Sequence, residues 1–330
     1  MIVVGPYPGC DYARIQEAVD ELERREVQQA EQLVILPGVY EENVRIFRSD
    51  LHIVGLGQVE ITGCLSANML DEHGEPLTTF GTPTLFLGGR RLLVEHVTIT
   101  NAAGCGDLVG QAVALYAHCD EAVFRHCTFK GYQDTLCTGP LPPAQITGAP
   151  FGGIPIRERH ERCRQRYEYC SIEGTVDFIF GGAMAMFEQC QLHARKRMNG
   201  GPIYVTAAST PEGQSHGYLF RDCIVTADTG AEPIYLGRPW RDAAKTDFVR
   251  CTYAASVHPA RWDDWEKPHA RQTVRYREFG CSILGEAQGD NEAGSNWGEQ
   301  HAYVPAGLEA EALFEDSEFV MTRGEGFRHG

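Results

Sequence analysis

Five of the chain's twelve cysteines occupy the same place in a short repeat: an aromatic residue, two variable residues, Cys, one variable residue, then an apolar residue. The copies are Phe124-Arg-His-Cys127-Thr-Phe129, Tyr167-Glu-Tyr-Cys170-Ser-Ile172, Phe187-Glu-Gln-Cys190-Gln-Leu192, Phe220-Arg-Asp-Cys223-Ile-Val225 and Phe248-Val-Arg-Cys251-Thr-Tyr253. A cysteine-free version, Val94-Glu-His-Val97-Thr-Ile99, precedes them, and successive starts lie 30, 43, 20, 33 and 28 residues apart. A constant short strand joined by loops of varying length is what a solenoid produces. The apolar positions recur at periods of two and three, which suits short strands with one bend and inward-facing residues, not helices. One coil cannot bury its apolar face alone, whereas stacked coils share an interior in which cysteines pack as small hydrophobes.

The other cysteine chemistries are weakly supported. There is no C-x-x-C pair and no Cys/His cluster at zinc spacing, so no structural metal is expected. Residues 1–10 lack a basic stretch followed by an apolar one, so a cytoplasmic location is expected, or a secreted one if the sequence has been trimmed. In the cytoplasm the thiols stay reduced. No apolar run reaches the roughly 18–20 residues that cross a bilayer. The net charge of −16 argues against nucleic acid as a partner, and mildly against a strongly polyanionic ligand.

The N-terminal stretch departs from the repeat. Ile15, Ala18, Val19 and Leu22 fall at helical spacing behind Asp11, a candidate N-cap. A helix plugging the open end of the solenoid fits this position, because terminal coils need a cover. From about residue 281 the sequence turns acidic and irregular, and it is expected to pack along the outside. The whole chain, 1–330, is therefore read as one all-β, single-stranded parallel β-helix domain with a short capping helix.

Four further motifs carry chemistry: Gly110-Gln111-Ala-Val-Ala-Leu115, Gly131-Tyr132-Gln133-Asp134-Thr135-Leu136, Glu173-Gly174-Thr175-Val176-Asp177-Phe178-Ile179-Phe180-Gly181 and Leu236-Gly237-Arg238-Pro239-Trp240. In this order, with weaker agreement from Asp11 through Thr79-Phe80 to Trp262-Asp-Asp-Trp265, they resemble the pectin methylesterase family of carbohydrate esterases. The resemblance implies a right-handed β-helix, no metal or other cofactor, and methyl-esterified homogalacturonan or its oligosaccharides as substrate. It also implies that Asp177 is the nucleophile and Asp134 the general acid/base. Gln111 and Gln133 would form the oxyanion hole, Arg238 would hold Asp177, and Trp240 would line a sugar subsite, with Thr79 and Phe178 as further contacts. A monomer is expected.

Elementary chemistry agrees with these roles. A charge among Val176, Phe178 and Phe180 is out of place on a buried strand. An arginine beside Asp177 would lower its pKa and keep it ionised for attack on an ester carbonyl. Two neighbouring carboxylates resist double ionisation, so the one without the arginine, Asp134, would keep the proton that departing methanol needs. Neutral amides stabilise a developing oxyanion without pairing with either carboxylate. The basic run Arg195-Lys196-Arg197 reads as a solvated loop, or alternatively as a contact for galacturonate carboxylates.

One stretch breaks the family pattern. Asp134 and Asp177 are 43 residues apart, about twice the expected separation, because of an insertion at about 138–162. It begins Gly139-Pro-Leu-Pro-Pro143, contains Gly152-Gly153 and ends basic at Arg157-Glu-Arg-His-Glu-Arg162. Leaving the coil between the two aspartates, it is expected to narrow or cap one end of the cleft. The rival functions are a same-fold esterase or thioesterase acting on a non-pectin ester, a calcium-dependent lyase or a glycosidase, and a non-catalytic sugar-binding solenoid.

Overall fold

A computed structural model describes residues 1–26, 29–285 and 297–301. Among them the strands form three wholly parallel sheets of eleven, nine and seven members, each ordered along the chain. One turn places a strand in each sheet, as Arg90–Glu95, Thr98–Asn101 and Leu115–Ala117 do. The result is a right-handed parallel β-helix.

The repeat sets the register of the largest sheet. Phe124, Tyr167, Phe187, Phe220 and Phe248 are direct cross-strand neighbours on successive coils. Their rings stack with centroids 4.6, 4.6, 4.5 and 4.5 Å apart. Such pairs each add about 0.5–1.5 kcal/mol beyond the area they bury, so a one-residue slip of register, which turns every side chain to the other face, would forfeit several at once.

Three residues on, the cysteines stack in the same way. The Sγ of Cys170, Cys190, Cys223 and Cys251 each lies 3.3–3.5 Å from the carbonyl of Phe124, Tyr167, Phe187 and Phe220 on the preceding coil. The weak S–H donor explains why this small buried position is cysteine and not alanine. Just before each stands a residue in the left-handed region, His126, Tyr169, Gln189, Asp222 and Arg250, with φ between 51° and 54°. This residue makes the bend between sheets. Its conformational cost of about 1–2 kcal/mol is offset by an N–H bond to the next coil, such as His126 to Glu168 O at 3.0 Å.

The helix Ile15–Arg24 buries Ile15, Ala18, Val19 and Leu22 over the first coils. Asp11 does not cap it. Asp11 accepts instead from Val3 N at 2.8 Å, and the helix begins only after Arg14. The cap comes from a distant residue: the Glu42 carboxylate accepts from Ile15 N at 2.9 Å and Gln16 N at 3.1 Å. An anion there also meets the positive end of the helix dipole.

The segment beyond 281 contributes two strands, Ser282–Ile283 and Glu299–His301, which extend the nine- and eleven-strand sheets. The rest of the expected irregular tail, 286–296 and 302–330, lies outside the described residues. Trp262 is core: it is 1% exposed and stacks on Tyr276 at 4.3 Å.

Candidate active site

The seven-strand sheet carries the site on its outer face. Leu115, Leu136, Ile179, Thr206 and Gly237 are cross-strand neighbours in turn. Tyr116, Cys137, Phe180, Ala207 and Arg238 therefore form the next row. Asp134 and Asp177 each stand two residues ahead of this register, at the same height on adjacent coils, with Asp134 N bonded to Val176 O at 3.0 Å. The insertion adds sequence between them but no distance along the stack.

Both aspartates have left-handed backbones, φ 65° and 51°. Aspartate tolerates this region better than most residues. The bend turns each carboxylate out to the cleft while the flanking strand residues stay in the coil. Strain of this kind clusters at functional positions.

Arg238 holds Asp177 with two hydrogen bonds, Nε to Oδ1 and Nη2 to Oδ2, both 2.8 Å. This fork geometry fixes the carboxylate's plane as a single lysine contact would not. The guanidinium is itself clamped between the rings of Tyr204, 3.9 Å away, and Trp265, 3.8 Å away. Neither ring stood out in the sequence as a site residue. Tyr204 occupies the position of Asp177 one coil further on, a relation invisible without the register. Trp265 lies on a loop beyond the sheet.

Burial raises Asp134 well above the usual carboxylate range, the charge of Asp177 adds to this, and Arg238 opposes it. Asp177 is also raised, again by burial first, although the Arg238 hydrogen bonds and charge pull it down. The arginine thus does not bring Asp177 below its ordinary value, as its presence alone would suggest. Taking the carboxylate out of water outweighs the pairing. The order of the pair, with Asp134 the better proton holder, is as the charges require.

A carboxyl with a raised folded-state pKa contributes stability that is fully present below its unfolded value, about 3.9. That contribution is lost as pH rises through the folded value. Asp134→Asn should therefore gain Tm relative to the unsubstituted protein as pH is taken from about 4 to 8. A Tm difference that stays flat over that window would contradict the assignment.

Gln111 and Gln133 line the same cleft as the aspartates and Arg238. Among the described residues neither amide is taken up by a protein partner, which leaves N–H groups for a ligand oxygen. Gly106 makes room for Gln133: a Cβ there would stand 2.5 Å from the Gln133 Cβ. Thr79 and Trp240 line the cleft as well. Phe178, expected as a substrate contact, does not: it is fully buried in the interior, because the chain turns inward straight after the Asp177 bend. Phe180, two residues later on the outward row, lines the cleft in its place.

The basic run is not simply solvated. Arg195 lies on the Tyr132 ring at 3.8 Å and donates to Tyr132 Oη at 2.8 Å. Arg197 pairs with Asp107, and neither arginine lines the cleft.

The sequence profile of the family described as Pectinesterase matches residues 1–140 and 159–307. Pectinesterase 2 of Citrus sinensis is 32% identical over 255 residues, 75% of this chain and 44% of that protein. The probable pectinesterase/pectinesterase inhibitor 6 of Arabidopsis thaliana is 34% identical over 288 residues, 86% of this chain and 46% of that protein. The chain thus spans less than half the length of these curated relatives. Among solved structures, the pectin methylesterase from carrot superposes with a TM-score of 0.75 at 27% identity, covering 94% of this chain and 90% of that one. The pectin methylesterase PemA from Erwinia chrysanthemi shares the fold, with a TM-score of 0.73 at 23% identity, covering 96% and 97%.

Proposed function

Because the chain belongs to the pectinesterase family, we propose that it hydrolyses the methyl esters of galacturonate in pectin or pectic oligosaccharides and releases methanol. The observation that carries this reading is the pair of aspartates on adjacent coils, one clamped by Arg238 and the other raised by burial above the usual carboxylate range, beside two glutamine amides with no protein partner among the described residues.

In this mechanism the ester carbonyl oxygen points at the amides of Gln111 and Gln133. The Asp177 carboxylate attacks the carbonyl carbon, and the negative charge that develops on the oxygen is taken up by those N–H donors. As the carbon–methoxy bond breaks, Asp134 gives its proton to the leaving oxygen, and methanol departs from an acyl-enzyme anhydride. Asp134, now ionised, takes a proton from water, whose oxygen attacks the anhydride. Galacturonic acid leaves and gives its proton to bulk water, and Asp177 is free again as a carboxylate. Both carboxylates finish in the protonation state in which they began.

Methanol assayed from methyl-esterified oligogalacturonides is the direct test. Release is expected, and an excess of chelator should leave the rate unchanged, because carbonyl polarisation falls to the glutamine amides. A well-folded protein that frees no methanol would defeat the reading, and a panel of other esters and thioesters would follow. A rate abolished by chelation would remove the glutamines from their role.

A further inference from the structure

The groove that holds the two aspartates is closed at one side by a segment that the family profile skips, residues 141–158. Its floor is the outward row of the seven-strand sheet. One wall is the loop ahead of strand Leu85–Leu87, bearing Asn68 and Thr78–Phe80, and the other carries Trp240 and Trp265 beyond strand Ile234–Pro239. These walls rise from coils at opposite ends of this stretch of sheet, so the groove between them runs along the strands, across the stack.

Residues 144–154 of the insertion are tied to both walls. Arg241 Nη2 donates to Ala144 O at 2.9 Å on the far side. On the near side Ile154 N donates to Phe80 O at 3.0 Å, and Thr78 Oγ1 to Phe151 O at 3.3 Å. Gly153, at φ 83°, runs so close to Phe80 that a Cβ would stand 2.3 Å from the Phe80 carbonyl carbon. Between the ties, the Phe151 ring meets Phe80 edge-on at 5.2 Å and Trp240 edge-on at 5.7 Å. Phe80 and Trp240 also face one another at 6.4 Å, both above Phe180. A pyranose held between two rings needs about 7–8 Å between their planes, two carbon contacts of optimal length. A pyranose therefore does not fit between these two rings. The remaining cavity, about 510 Å³, is of the size that holds a small molecule.

We propose that residues 144–154 make the groove blind, so that the enzyme acts on esters close to one end of the galacturonan chain and prefers short methyl-esterified oligogalacturonides to polymer. This rests on the demethylation reading above. A polymer reaches the aspartates only by its terminus, which is rare per ester, whereas every oligomer offers one.

The test compares kcat/KM per ester on methylated tri- to hexagalacturonides and on highly methylated polymeric pectin. The unsubstituted protein is run beside Phe151→Ala and Gly153→Val. The first variant removes the ring that bridges the walls. The second unseats the strap at Phe80 without altering a groove side chain, and Tm measured for both variants reports whether they fold. The unsubstituted protein is expected to favour oligomers by about tenfold or more, in the range that one shaped pocket supplies. Both variants should lose most of that ratio, chiefly by gaining on polymer. Mass spectrometry of the hexamer products should find the first freed carboxylate at a constant distance from one chain end. A preference for polymer, or a ratio unchanged in folded variants, overturns the blind groove while leaving demethylation standing. No methanol from either substrate defeats the demethylation reading and this one with it.

Discussion

Replacing Asp177 by alanine is expected to lower kcat for methanol release by on the order of 10⁴-fold or more, the usual consequence of deleting a nucleophile that works within a catalytic group. The loss should fall on kcat with little change in KM, because the Asp177 carboxylate is engaged by Arg238 and forms its bond to substrate only during reaction. Asp134→Asn should fail at the same step on activated and ordinary esters to different degrees. An ester with a good leaving group needs little protonation, so it should recover part of the first step but not water activation. Burst kinetics of the first alcohol released separate these steps. If Asp177→Ala keeps a rate within about tenfold of the unsubstituted protein while folded, another group is the nucleophile.

Arg238→Ala should be the most damaging change that leaves both carboxylates in place. It removes both hydrogen bonds to Asp177 and empties the slot between Tyr204 and Trp265. Breaking a buried pair by taking one partner costs about 3–5 kcal/mol, because the other charge stays buried alone. Asp177 is already raised by burial against the arginine's pull, so its removal raises the carboxyl further. The pH profile follows from the sign. Activity needs Asp177 ionised and Asp134 protonated, so the acid limb reports Asp177 and the alkaline limb Asp134. Arg238 also pulls Asp134 down, by charge alone. In the variant both limbs therefore move to higher pH, the acid limb further because Asp177 loses two hydrogen bonds as well, with a fall in kcat of about 10³-fold at neutral pH. Arg238→Lys restores charge but not the two-point geometry, and should recover only part of the rate. An acid limb that stays put in Arg238→Ala would show that the arginine does not act through Asp177.

Much of the fold was legible in the amino-acid order, for a definite reason. Stacked coils put like residues over like, so the requirement for an aromatic at 124, 167, 187, 220 and 248 is written once per coil. Loop length does not erase it. The helix at Ile15–Arg24 was equally readable because its four buried residues lie on one face. Its cap was not, since Glu42 reaches it from the short loop between strands Gly38–Glu41 and Val44–Ile46 and no local pattern encodes that.

The site divides in the same way. The identities of Asp134, Asp177, Gln111, Gln133 and Arg238 could be read because each sits in a short motif that resembles the family's. Their meeting could not, since repeat starts spaced irregularly, 20 to 43 residues apart, hide the fact that residues far apart in sequence lie on adjacent coils. Register decided that Phe180 and not Phe178 faces the cleft and that Tyr204 lies against Arg238, while a loop beyond the sheet brings Trp265 to its other side. It also decided that burial outweighs the arginine at Asp177. Sequence by itself determined what repeats and what is chemically out of place. Only the tertiary structure decided which of those residues share a surface, how dry it is, and where Phe151 ends the groove, because these follow from stacking and from loops that answer to no period.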